Sequence, residues 1–150
     1  MMRLPMSLAL LLLLLATAFA APKDLVQLKA EAEKAKGGHQ AKLYAELADR
    51  LVEIADAAFN QGDSTKGLAT VQELMQYATK AHDGALASHD NRKEVEIYLR
   101  QTQRHLESVK QTLAADDRPQ FDSAEKQLAQ FRQELLDSMF APNHKNKEPK

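Results

Sequence analysis

Apolar residues recur along this chain in alternating steps of three and four. Tyr44, Leu47, Leu51, Ile54 and Ala58 form one such series, and Leu68, Val71, Met75, Ala78, His82 and Ala85 a second. Val95, Leu99, Thr102, Leu106, Val109 and Leu113 form a third, and Phe121, Ala124, Leu128, Phe131 and Leu135 a fourth. A period of 3.6 residues per turn brings each series onto one side of a helix, so each predicts an amphipathic helix that buries one stripe. No stretch of useful length alternates with period two, so no strand is predicted. A shorter series, Leu25, Leu28, Ala32 and Ala35, predicts a brief helix over 23–36 that Gly37-Gly38 ends or kinks.

The breaks between the series carry turn and capping residues. Gly62 suits a left-handed helix stop, and the Asp63 side chain can accept from the first free amides of the next helix. Ser88-His89-Asp90-Asn91 marks a second corner, and Asp116-Asp117-Arg118-Pro119 a third. Pro119 falls in a first turn, where its missing amide goes unused. The expected fold is all-α: an antiparallel bundle of four long helices, about 20–24 residues each, or two stacked helical hairpins, since short corners make successive helices antiparallel. The short N-terminal helix is added to it. Residues 141–150 show no apolar pattern, contain Pro142 and Pro149, and are read as a disordered tail.

A shift of 54 residues lays Tyr44 on Tyr98, Arg50 on Arg104, Glu53 on Glu107, Asp63 on Asp117, Leu74 on Leu128 and Gln76 on Gln130. The corners Gly62-Asp63 and Asp116-Asp117 align as well. Chance among like-patterned helices and a duplicated hairpin both account for this. Within the first hairpin, AFNQGDSTKGLATVQELMQYATKA resembles the corner of a tetratricopeptide-type helix pair, a likeness that runs from Ala41 to about His82. Ala55 to Phe59 lacks that family's spacing, Gly67 stands where Ala is usual, and the helices exceed a 34-residue unit. The resemblance implies a helical hairpin and transfers no binding residue. The whole chain is also similar to small exported α-helical bacterial proteins, which implies export and no particular activity.

The first 20 residues read as an address. Arg3 precedes an apolar run from Leu8 to Ala16, and Ala18-Phe19-Ala20 places small residues where a signal peptidase reads, so cleavage is expected after Ala20. The apolar stretch from Met6 to Ala21 falls short of the roughly 20 residues a spanning helix needs. With no Cys in the chain, a lipoprotein anchor is excluded, and no stable membrane anchor is expected after cleavage. The expected location is the periplasm or the exterior, and 21–140 is the expected bundle domain. Losing Arg3 leaves 19 basic and 21 acidic residues, a formal charge of -2, with no electrostatic footprint for nucleic acid. Without cysteine the fold rests on its core alone, and a thiolate nucleophile or ligand is absent.

Candidate chemistry is sparse. Gly62-Asp63-Ser64-Thr65-Lys66-Gly67 holds the residue types of a phosphate loop in the wrong order, preceded by a helix instead of a strand. Neither Glu-x-x-His nor His-Glu-x-x-His occurs. Of the histidines, His39, His82, His89, His105 and His144, only His82 lies on a stripe, where a satisfied interior imidazole is expected. A corner near residue 90 would bring Met75 level with His105, the residue types of a haem axial pair. His105 lies beside its stripe, though, and Met75 reads as core filler. No Gly-x-Ser-x-Gly elbow occurs. Glu46, Asp49, Glu53, Glu94, Glu96 and Glu107 lie among basic and amide residues like a solvated face, with Arg92 and Lys93 available to Glu96. Tyr44, Phe59, Tyr77, Tyr98, Phe121, Phe131 and Phe140 read as core packing. No catalytic, cofactor-binding or metal-ligating residue is nominated. The expectation is an exported, non-enzymatic helical scaffold or interaction module with an unspecified protein partner; the alternative is a bundle that binds a small molecule, haem or metal.

Overall fold

A computed structural model describes residues 24–141, which form five helices with no strand among them. They are α1 (Leu25–Lys34), α2 (Gly37–Asn60), α3 (Ser64–Ser88), α4 (Arg92–Thr112) and α5 (Arg118–Phe140), with one 3-10 turn at Ala115–Asp117. The long helices have 24, 25, 21 and 23 residues. The expected signal segment with its cleavage point, and the expected tail beyond Ala141, lie outside the described residues.

The third and fourth stripes are buried at every position named above, from Val95 on α4 to Leu113 just past its end and from Phe121 to Leu135 on α5. The α2 stripe is too narrow. Ala41, Leu43, Ala45, Ala48, Val52 and Ala55 are buried as well. The reason is packing on three sides: α2 touches α1, α3 and α4. Leu28 and Ala32 of α1 close over Leu43 and Leu47, a small second core on the outer side of α2. The main core joins α2, α3, α4 and α5 through Leu51, Leu74, Leu99, Leu106, Leu128 and their neighbours.

Successive helices run antiparallel. Helices at equivalent places in the two hairpins run parallel: Gly38 abuts Asp90, Asp49 meets His105, Ser64 meets Asp117, and His82 meets Glu134, pairs 52 to 56 positions apart. The architecture is therefore two hairpins, α2–α3 and α4–α5, stacked in register, with α1 laid on α2. The 54-residue shift seen in the sequence is close to this stacking offset. Ser64 Oγ donates to Asp117 Oδ2 at 3.2 Å, tying the two aligned corners side by side.

The first corner forms as its residues dictate. Gly62 is left-handed (φ +79°), Asp63 N–H donates to the Ala58 carbonyl at 2.9 Å and Gly62 N–H to the Phe59 carbonyl at 2.9 Å. This double closure satisfies the last carbonyls of α2. Asp63 Oδ1 then accepts the Lys66 backbone N–H at 3.0 Å and caps α3. Gly67 is inside α3, not in a loop. A Cβ there would lie 2.6 Å from two Phe59 ring atoms, so the glycine admits that ring against the helix. Asp63→Ala is expected to lose about 1 kcal/mol of stability. Lys66→Ala should stay within about 0.5 kcal/mol, because Lys66 contributes its amide to the cap and not its ammonium. Urea midpoints of the two variants check this, and equal losses would overturn the assignment of Asp63 as the cap.

Candidate functional site

The stacking leaves an open groove of about 290 Å³ between α3 and α5. Val71 and Ala124, both buried, and half-buried Met75 form its floor. Gln72 and Gln76 rise on the α3 side, and Gln120 and Gln127 on the α5 side, with Thr79 and Ser123 completing the lining. Gln72, Gln76, Ser123 and Gln127 are exposed. Gln120 is anchored: its Nε2 donates to the Leu68 carbonyl at 3.1 Å across the groove end. Thr79 bonds back to the Met75 carbonyl at 2.8 Å. No lining residue ionises near neutral pH, so the groove holds no general acid or base. It presents amides and hydroxyls over an apolar floor.

One turn beyond Thr79, His82 clasps the same two helices. It is 5 % exposed and stacks on Phe131 of α5, ring centroids 4.3 Å apart at 19°. Its Nδ1 lies 2.8 Å from Asp83 Oδ1, and its Nε2 lies 2.7 Å from Glu134 Oε2, at ion-pair distance but off-line for a hydrogen bond. The Gln130 amide and then His82 hold the Glu134 carboxyl below its ordinary range. The stripe position anticipated a satisfied interior imidazole; the ring is interior and lies between two carboxylates, but its buried Nε2 makes no hydrogen bond.

A second cleft, of about 170 Å³, lies between α2 and α4 and is lined by Val52, Glu53, Asp56, His105, Ser108 and Val109. His105 Nδ1 sits 3.1 Å from Asp49 Oδ1. The structure thus gives His105 a carboxylate of α2 as partner and places Met75 in the α3–α5 groove, so the sequence-level pairing of Met75 with His105 is not formed. Antiparallel level-matching fails here because α4 packs chiefly on α2 and α5, and little on α3. Asp49, His105 and Ser108 are the residue types of a hydrolytic triad. Yet Ser108 and His105 share no hydrogen bond, and these mid-helix segments keep their backbone amides in the helical ladder, leaving no oxyanion donor.

Burial pushes the Asp49 carboxyl above its usual range; the Glu53 charge adds to this and His105 opposes it. A carboxyl raised in this way binds its proton more readily in the folded chain. Its contribution therefore favours folding at acid pH and is lost as pH rises through the folded-state value. Asp49→Asn is expected to raise the melting temperature at pH 7, with the gain fading toward about pH 4, where the unfolded carboxyl also protonates. Melts at the two pH values check it. An Asn variant less stable at pH 7 than at pH 4, each relative to the parent, would reverse the sign.

Three further clusters lie away from the two clefts. Glu96, read from the sequence as solvated, is only 6 % exposed. It accepts from Arg132 Nε of α5 at 3.1 Å and lies 3.4 Å from Arg100, while Arg132 Nη1 donates to Gln103 at 2.8 Å. The local partner expected for it, Arg92, instead donates to the Ser138 carbonyl at 2.8 Å. Farther along the seam, Lys110 bridges Glu125 at 2.6 Å and Asp122 at 2.9 Å, and those hydrogen bonds push its pKa up to about 12. On the other face Tyr44 and Tyr77 stack at 5.7 Å, half-buried, with Lys80 over both rings at 5.4 and 5.5 Å. Lys29 lies 5.8 Å over Tyr77 and pairs with Glu73 at 2.6 Å. Tyr44 and Tyr77 are half-buried and pack against the core, as expected, with one side of the pair open to the lysines, whereas Phe140, 78 % exposed, does not pack in the core.

Among the described residues, no group of three or more His, Asp or Glu side chains could hold a metal ion, and no helix is long and apolar enough to cross a membrane. No family model matches the chain, and no curated protein or solved structure matches it.

Proposed function

We propose that this protein is an exported, non-enzymatic interaction module whose stacked hairpins hold the α3–α5 groove open for a protein partner. The observation that carries the reading is the groove's chemistry. It is preformed, apolar at its floor and amide-lined at its rim, without an ionisable side chain in its lining. That composition suits recognition and supplies no proton-transfer group. The tetratricopeptide-like corner fits the same reading, since stacked helical hairpins commonly offer their inter-helix surfaces to other chains. Export rests on the apolar run and the small residues before Ala21.

Site-specific photocrosslinking tests the groove. A crosslinker at Gln76 is expected to capture a partner chain, and one at Gln111, exposed on α4, is not. Capture from Gln111 alone would move the interface to α4 and overturn the assignment. Intact mass of exported material tests the address: a chain beginning at Ala21 is expected, and retention of residues 1–20 would overturn it.

A further inference from the structure

We infer that His82 is a proton-operated latch between the two hairpins: the protonated ring draws α5 onto α3 through Glu134, and loss of the proton frees that end of the seam. The inference goes beyond the module reading and is independent of what the groove takes up. His82 is buried, and each of its ring nitrogens faces a carboxylate oxygen. Nδ1 lies 2.8 Å from Asp83 Oδ1, and Nε2 lies 2.7 Å from Glu134 Oε2. A neutral imidazole has one N–H, and its other nitrogen carries a lone pair. With Nδ1 donating to Asp83, the Nε2 lone pair faces Glu134. In the other tautomer the Nδ1 lone pair faces Asp83. Either way two electron-rich atoms stand at hydrogen-bond distance with no hydrogen between them. Only the imidazolium carries a proton on both nitrogens and suits both neighbours. Nε2 makes no hydrogen bond to Glu134, being off-line, but attraction between opposite charges does not need that alignment.

Burial alone favours the neutral ring. The surroundings oppose it. Asp83 and Glu134 both reach solvent, so keeping their charges beside the ring costs little desolvation. Phe131 offers its face, near parallel at 4.3 Å, a favourable seat for a cation. Asp83 belongs to α3 and Glu134 to α5. Among the described residues, neither α2 nor α4, the other helices that α3 touches, brings a carboxylate within ion-pair distance of the ring. The charged groups acting on the Glu134 carboxyl are His82 and Asp83, so the ring is its cation. At the far end of the groove Gln120 ties α5 to the Leu68 carbonyl with an amide that does not titrate. Two titrations bound the latch. Glu134 is held below the ordinary carboxylate range, so its contribution is present above about pH 4.3, the value of an unfolded Glu, and is lost as pH falls through the folded value. A ring that gains carboxylate partners on folding contributes in full below about pH 6.5, the value of an unfolded imidazole. That contribution is lost as pH rises through the titration of the folded ring. The latch is closed between these limits.

The test is a double-mutant cycle of His82→Phe and Glu134→Gln in the whole chain, read by urea denaturation at about pH 5.5 and about pH 8. Phenylalanine keeps an aromatic ring on Phe131, and glutamine keeps the size of Glu134 without its charge. The two sites are expected to couple about 2- to 5-fold in the unfolding equilibrium constant at the acid pH, the upper range for a partly exposed ion pair, and not at the alkaline one. Nitrogen NMR of the imidazole supplies a second readout that does not depend on His82→Phe folding. Both ring nitrogens of the parent should be protonated at about pH 5.5 and only one at about pH 8. In Glu134→Gln the ring should lose its proton at a pH about 0.3 to 0.7 lower than in the parent, the same factor seen from the proton's side. Coupling of equal size at both pH values, or none at either, would overturn the latch. So would a ring already neutral at the acid pH, or one whose titration Glu134→Gln leaves in place.

Discussion

Leu106→Ala is expected to lower the unfolding free energy by about 2–5 kcal/mol, the sum of lost transfer energy and the cavity left behind. Leu51→Ala and Leu128→Ala are expected to do the same. The three leucines sit on α2, α4 and α5, are at most 2 % exposed, and belong to one contiguous core. Gln101→Ala, on the open face of α4, should change stability by less than about 0.5 kcal/mol. Gln103 is not a neutral control, although it too lies beside the stripe, because it receives Arg132. Thermal melts followed by circular dichroism read the difference. A leucine truncation that melts like the parent would mean that the buried face of its helix is assigned wrongly. Reductant should leave the melts unmoved, since the chain has no cysteine.

Arg132→Met is expected to cost about 3 kcal/mol, the low end of the range for breaking a buried ion pair. It strips the near-buried Glu96 of its α5 partner and removes the donor to Gln103. The low end applies because Arg132 keeps 25 % of its side chain in water and Arg100 remains 3.4 Å from Glu96. Adding Glu96→Leu should recover most of the loss, because the uncompensated carboxylate is then gone and the seam becomes apolar. Urea denaturation of both single variants and the double one completes the cycle. If the double variant is no more stable than Arg132→Met, the loss comes from packing of the arginine stem and not from the stranded charge.

What could be read from the sequence divides by the range of the forces involved. The corner at Gly62-Asp63 was legible because left-handed stops and side-chain caps act within a few residues. The α4 and α5 stripes were legible because each of those helices buries one face. The α2 stripe was not, since Leu43 and Ala45 are buried against elements that single-helix periodicity cannot represent. Glu96 looked solvated because its charged partner lies 36 positions away on another helix. The groove was hidden for the same reason. Gln76 and Gln127 become neighbours only through the offset at which one hairpin settles on the other, and nothing local to either residue specifies that offset.

That offset also bears on how the chain reaches its fold. Contacts inside a hairpin close over corners of a few residues, whereas those between hairpins join positions some fifty apart, such as Gly38 with Asp90 and Ser64 with Asp117. Short closures lose less chain entropy and form sooner. Each hairpin is thus expected to form early, with their mutual docking following it. The groove and the His82 clasp form only with that docking, so they are the last features of the fold to appear on the way from the unfolded chain.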